Sequence, residues 1–118
     1  MTATAQEFLR SFQYQVLPGR AADYAAYLRE VVEPIDRQAH ADGAFEEVFT
    51  VEPLARQEPP MLCRVFRFRD EAQLQAFAGR MAQAAARFDA SAQATAQRKA
   101  HAETLRTLVG VHDYRVTR

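Results

Sequence analysis

The sequence predicts an α+β domain in which strands and helices follow one another in the order βαββαβ. Apolar side chains recur at every second residue from Phe8 to Val16 and in three later stretches, which is the period of a half-buried strand. Helical periodicity occupies residues 21–38 and 71–103. The expected strands are residues 8–17, 44–52, 61–69 and 107–116. Four antiparallel strands with helices on one face form a ferredoxin-like sandwich, which we expect to span residues 1–118 as one domain.

The first strand and the first helix are separated by a strong breaking signal. Leu17-Pro18-Gly19 ends the strand, because proline lacks an N–H and glycine tolerates unusual dihedral angles. Pro34 lies inside the helix that follows and removes one of its hydrogen bonds, so we expect a kink or two short helices in line. The apolar stripe of this helix consists of Tyr24, Leu28, Val31, Val32, Ile35 and Ala39.

The second helical stretch is too long to be one helix. A single helix over residues 71–103 would measure roughly 50 Å at the usual rise per residue, which exceeds the width of a domain of this size. Asp70 is a good N-cap for its beginning. We expect a break near residues 89–91.

Composition excludes several classes of function. The chain has 118 residues, with 15 basic and 15 acidic side chains and a formal net charge of zero, which does not favour nucleic acid or an anionic membrane as a partner. The single cysteine, Cys63, excludes an internal disulfide and a multi-cysteine metal site. No apolar run approaches the ~20 residues of a membrane span. The first residues, MTATAQEF, lack the apolar core of a secretory signal, so we expect a cytoplasmic protein.

The strands carry apolar groups on both faces. Leu9 alternates with Phe12 on the first strand, and Val65 alternates with Phe66 on the third. The helices can cover only one face of the sheet, and an exposed apolar face usually marks an interface. We therefore expect a homodimer in which a second copy of the sheet covers the other face.

Several architectural markers together suggest a family. They are the strand end VLPGR (residues 16–20), Tyr24 and Leu28 in the first helix, Pro34 within it, and Gly43 before the second strand. With these markers, the chain from residue 8 to 116 resembles the dimeric α/β barrel superfamily, which includes antibiotic-biosynthesis monooxygenase-like and NIPSNAP-like proteins.

The resemblance implies a homodimer whose two sheets close a barrel, and a site in a pocket between sheet and helices. It also implies a possible cofactor-independent oxygenase acting on an aromatic substrate. The haem-degrading members of the group rely on Asn, Trp and His, and this chain has neither Asn nor Trp. That activity is therefore disfavoured.

His112 and Tyr114 on the last strand are the candidate catalytic residues. An imidazole can move protons at neutral pH, and Gly110, two residues earlier, would leave room beside the ring. We expect His112 near a cavity between sheet and helices, close to a tyrosine. The alternative is a structural histidine bonded to a neighbour or to solvent.

Four polar residues on mostly apolar strand faces form the candidate ligand-binding set. They are Arg10, Tyr14, Glu47 and Arg64. Buried charge is costly unless it is paired, so Glu47 could pair with Arg64, and Arg10 or Tyr14 could line a pocket for a small anion or a phenolic or quinone-like ligand. The alternative is a salt-bridged interior or a dimer seam.

The sequence offers no cofactor motif. Its three histidines are scattered over unrelated elements and its glycines are isolated, so we expect no bound haem, zinc or flavin. Two functions stay open on these grounds. One is a cofactor-independent monooxygenase or isomerase acting on an aromatic or apolar small molecule, and the other is a non-catalytic small-molecule-binding or structural dimer.

Overall fold

The computed structural model describes residues 6–118 and shows a four-stranded antiparallel sheet with helices packed on one face. The elements are β1 (Phe8–Val16), α1 (Ala21–Tyr27), α2 (Glu33–Ala41), β2 (Glu47–Val51), β3 (Met61–Phe68), α3 (Glu71–Asp89), α4 (Ala92–Glu103) and β4 (Arg106–Arg115). The strand order is β2-β3-β1-β4, which confirms the ferredoxin-like sandwich. The second strand begins at Glu47, three residues later than expected. Two expectations concern residues 1–5: that they belong to the domain, and that they are not part of a secretory signal. Both lie outside the described residues.

Strand β1 lies at the centre, hydrogen-bonded to β3 on one side and to β4 on the other. Phe12 is in register with Arg64 of β3 and Val111 of β4, and these side chains share the face that the helices cover. Ser11 and its partner His112 belong to the opposite face, which we call the open face. The open face carries Leu9, Ser11, Gln13, Gln15, Glu47, Phe49, Val51, Met61, Cys63, Val65, Arg67, Gly110, His112 and Tyr114.

A π-helical turn joins α1 to α2. It spans Leu28–Val32, and Pro34 lies in the first turn of α2. Proline has no N–H to donate to the preceding turn, and the wider π turn tolerates that loss. Of the two expected outcomes, a kink or two short helices, the structure shows two short α-helices in line, which the π turn joins without a break.

The expected break in the long helical stretch is also confirmed. Helix α3 begins after Asp70, whose carboxylate accepts a hydrogen bond of 2.8 Å from the Gln73 backbone N–H. It ends at Asp89 because Ala90 adopts a left-handed conformation with φ 67°. Ser91 then caps α4 by accepting a 3.0 Å hydrogen bond from the Ala94 N–H.

The helix-covered face holds two apolar clusters. The larger packs α2 and α3 against β3 and is rich in phenylalanine: Phe45, Phe66, Phe68 and Phe77 are buried in it. The smaller joins β1, α1 and α4 through Val16, Tyr24, Tyr27, Ala102 and Leu105. Side chains from both clusters line a space between them, and this space is the candidate site.

Candidate functional site

A cavity of about 430 Å³ lies between the sheet and the helices. That volume is within the range of ligand pockets. Its walls are mostly apolar, with polar groups supplied by β1, α2, β3, α4 and β4. The lining residues are Phe12, Tyr14, Tyr27, Val32, Ile35, Asp36, Arg64, Phe66, Phe77, Ala78, Met81, Ala82, Ala85, Ala86, Thr95, Arg98, Lys99 and Arg106.

A buried ion pair forms one side of the cavity. Arg64 on β3 donates from Nη2 to Oδ2 of Asp36 on α2, and the two side chains are only 13% and 8% exposed. Arg64 also donates from Nη1 to the Thr50 hydroxyl at 3.2 Å. Burial raises the pKa of Asp36 to about 6, while the positive charge of Arg64 opposes the rise. The carboxyl can therefore change protonation near neutral pH.

Arg106 sits in a cage of three tyrosines on another side of the cavity. Its guanidinium carbon lies 4.1 Å from the ring centre of Tyr14, 5.4 Å from that of Tyr24 and 5.7 Å from that of Tyr27. Its Nη1 donates to the Tyr24 hydroxyl at 3.1 Å. Burial raises the pKa of the Tyr14 hydroxyl, and the charge of Arg106 opposes that rise. These contacts hold the guanidinium by stacking.

Helix α4 adds polar groups from a third side. Thr95, Arg98 and Lys99 line the cavity, and Arg98 is held by Asp89 through Nε–carboxylate distances of 3.0 Å. The cavity lining thus contains four basic side chains and one acidic one. The site is locally positive although the whole chain is neutral.

Two of the four expected ligand-binding residues, Tyr14 and Arg64, line this cavity. Arg10 lies on the same sheet face but is not among the lining residues; its Nε donates to Asp113 Oδ1 at 2.7 Å. Glu47 does not approach the cavity.

The expected Glu47–Arg64 pair is wrong. Glu47 is in register with Arg67 on the open face and accepts a hydrogen bond of 3.1 Å from its Nε. Arg64 points to the other face, where Asp36 is its partner.

The expected position of His112 and Tyr114 beside the cavity is also wrong. Both lie on the open face, with ring centres 6.4 Å apart. The register of β1 against β4 shifts between Gln13 and Tyr14, so Leu108 pairs with Tyr14 on the helix-covered face while Gly110 pairs with Gln13 on the open face. This bulge breaks the simple alternation from which the expectation was made.

The room beside Gly110 exists, but the histidine itself uses it. A Cβ atom at Gly110 would lie 3.0 Å from His112 Nε2. Within one chain, His112 and Tyr114 therefore belong to a different surface from Tyr14 and Arg64.

Sequence reasoning missed Asp36 and Arg106. A signal for Asp36 was present, because it follows Val32 by four residues and so shares the apolar side of its helix. Arg106 lay just before the expected start of the last strand. Its register partner is Val16, which places it on the helix-covered face.

Neither a metal-binding cluster nor a membrane-spanning helix occurs in the described part of the chain. Among residues 6–118, no group of three His, Cys, Asp or Glu side chains is arranged to hold a metal ion. No helix within that range is long and apolar enough to cross a membrane.

No protein-family model and no curated protein matches the sequence. Solved structures do match over nearly the whole chain. A protein of unknown function from Nitrosomonas europaea has a TM-score of 0.59 at 18% identity, covering 98% of this chain and 94% of its own. A NIPSNAP family protein with unknown function from Agrobacterium tumefaciens has a TM-score of 0.59 at 11% identity, covering 97% and 89%.

A dimeric ferredoxin-like protein from an uncultured marine organism matches with a TM-score of 0.54 at 13% identity, covering 96% of this chain and 90% of its own. Identities this low establish a shared fold and leave the activity open. The expected resemblance is confirmed at that level: the chain has the ferredoxin-like fold of these structures, a NIPSNAP family protein among them.

Proposed function

We propose that the cavity binds an aromatic or apolar small molecule and that Asp36 exchanges a proton with it. The observation that carries this proposal is the buried Asp36–Arg64 pair in the wall of a mostly apolar cavity. Charged groups are rarely placed in apolar surroundings without a functional or structural reason, and perturbed carboxyls in clefts are frequent acid–base catalysts.

The geometry suits removal of a proton from a carbon next to a carbonyl group, or from a phenol. Arg64 holds Oδ2 of Asp36, and Oδ1 has no hydrogen-bond partner among residues 6–118. The C–H or O–H electron pair stays on the ligand as an enolate or phenolate, and Oδ1 takes the proton. The positive charge of Arg64 stabilises the oxygen that becomes negative.

The fate of that anion separates the two enzymatic alternatives. Return of the proton from Asp36 to a different carbon completes an isomerisation. A cofactor-independent monooxygenase would instead let the anion react with dioxygen as a second substrate. One oxygen atom would then stay in the product, the other would leave as water, and the organic substrate itself would supply the electrons. Both begin with the same proton transfer, so both depend on Asp36.

A non-catalytic binding protein is the second candidate. Its support is the close ion pair between Arg64 and Asp36. In this alternative the pair has a structural role alone, because each group neutralises the buried charge of the other. In that case the cavity binds its ligand and returns it unchanged.

Exchange of carbon-bound protons with solvent distinguishes these candidates. The ketone 2-tetralone, incubated with the protein in D₂O, should incorporate deuterium faster than in buffer alone, as followed by proton NMR. Asp36→Asn should lose this acceleration. Asp113→Asn is the matched control, because Asp113 pairs with Arg10 away from the cavity. Binding without exchange in the wild type would support the non-catalytic alternative.

We also infer a homodimeric working form located in the cytoplasm. Exposed apolar side chains on the open face support the dimer, as does the dimeric character of one protein of the same fold.

A further inference from the structure

Arg106 differs from the other half-buried arginines among residues 6–118. Each of the others has a carboxylate within 4 Å: these are Arg10, Arg20, Arg64, Arg67 and Arg98. Arg106 is the exception within that range, and it faces the cavity. A partly desolvated cation without a counterion is a favourable place for an anionic group from outside the chain.

We propose that Arg106 binds an anionic oxygen of the ligand, so that the cavity takes an aromatic carboxylate. This inference rests on the proposed role of the cavity as a binding site and specifies the class of molecule that it accepts. Three features support this assignment: the tyrosine cage around the guanidinium, the N–H groups that the cage leaves free, and the positive charge of the cavity wall.

The tyrosine cage orients the guanidinium without neutralising it. The Tyr14 ring lies against it at 4.1 Å, and the Tyr24 hydroxyl takes one N–H. A guanidinium has five N–H groups, and its edge can bind both oxygens of a carboxylate at once. No second side-chain hydrogen bond to residues 6–118 occupies that edge.

The rest of the cavity wall adds positive charge and aromatic surface. Lys99 lines the cavity from α4 without an ion-pair partner in the described part of the chain. Phe12, Phe66 and Phe77 supply apolar contact area. A carboxylate at Arg106 would therefore be attached to a flat apolar body that lies toward the phenylalanine side.

The same placement brings the ligand to Asp36. On β1, Tyr14 lies between Phe12, the register partner of Arg64, and Val16, the register partner of Arg106. A bicyclic aromatic acid anchored at Arg106 reaches across Tyr14 to the carboxyl that we propose as the proton acceptor.

A pair of probes that differ only in charge tests this inference. The probes are 2-naphthoate and its neutral analogue 2-naphthamide, with dissociation constants measured by isothermal titration calorimetry at low ionic strength. We expect the wild type to bind 2-naphthoate at least about tenfold more tightly. Arg106→Met keeps the apolar stem, removes the charge, and should reduce the preference to within about twofold.

Arg115→Met is the matched control, because Arg115 lies on the same strand but is exposed and outside the cavity. It should keep the full preference. Arg106→Gln replaces the methionine variant if circular dichroism shows that the latter does not fold.

The outcomes separate this inference from the broader proposal. Equal binding of both probes by the wild type, or a preference that survives loss of Arg106, would overturn the anion site while leaving the cavity as a binding site. If neither probe binds the wild type, both proposals are rejected.

Discussion

Protonation of Asp36 in the cavity wall makes the stability of the fold depend on pH. Its ordinary pKa of 3.8 applies in the unfolded chain, whereas burial raises its pKa in the folded protein to about 6. Between these pH values the unfolded chain binds fewer protons, so this group makes the free energy of unfolding fall as the pH rises. An ion pair that lowered the carboxyl pKa would act in the opposite direction.

Asp36→Asn should remove this pH dependence. The free energy of unfolding of the wild type minus that of the variant is expected to decrease by about 2 kcal/mol between about pH 4 and pH 6. Urea denaturation across that range measures it. The subtraction cancels all other titrating groups, and a difference that is constant or that grows with pH would contradict the raised pKa.

His112 gives a prediction that separates the two faces of the sheet. A catalytic role for His112 and Tyr114 stays a prediction, and it would now require a site on the open face. His112→Ala should leave the affinity for 2-naphthoate within about twofold of wild type, because the ring lies across the sheet from the cavity. Calorimetry with Arg106→Met as the positive control measures this, and a large loss in the His112 variant would show that the two surfaces communicate.

The junction between α3 and α4 is the clearest strained position among the elements. Ala90 has φ 67°, a left-handed conformation that costs an L-residue with a Cβ about 1 kcal/mol. Ala90→Gly should therefore raise the free energy of unfolding by up to about 1 kcal/mol, less the entropy that glycine adds to the unfolded chain. Chemical denaturation of the two proteins gives the number.

Ala96→Gly is the control for that change. Ala96 is exposed in the interior of α4, where glycine lowers stability by about 1 kcal/mol. The same substitution should thus have opposite signs at two positions on either side of the Ser91 cap. Destabilisation at both positions would show that the junction is not strained.

The elements themselves were largely predictable, because local periodicity sets them. Alternation gave the four strands, Pro34 gave the interruption of the first helical stretch, and Asp70 and Ser91 are caps of familiar type. The face assignment of β4 was not predictable in the same way. The bulge at residues 108–110 depends on pairing with β1, and no local sequence pattern predicts it.

At the scale of the whole molecule, the site is a product of strand order. Asp36, Arg64 and Arg106 lie far apart in sequence and meet because β1 sits between β3 and β4 while α2 packs above them. Sequence reasoning found Tyr14 and Arg64 as polar residues on an apolar face. It could not pair Arg64 with Asp36, since that contact depends on how the helix is rotated over the sheet.

The open face gives the prediction for the assembly. Phe49, Val51 and Tyr114 on this face are 38%, 45% and 50% exposed. Covering them with a second copy would remove apolar area from water, so light scattering should give twice the 13.3 kDa chain mass. Phe49→Lys should shift the protein to the monomer mass because it places a charge in that interface. Phe88→Lys, at a 44% exposed position on α3, is the control and should remain dimeric. A monomer mass for the wild type or for the Phe88 variant would refute an interface built on the open face.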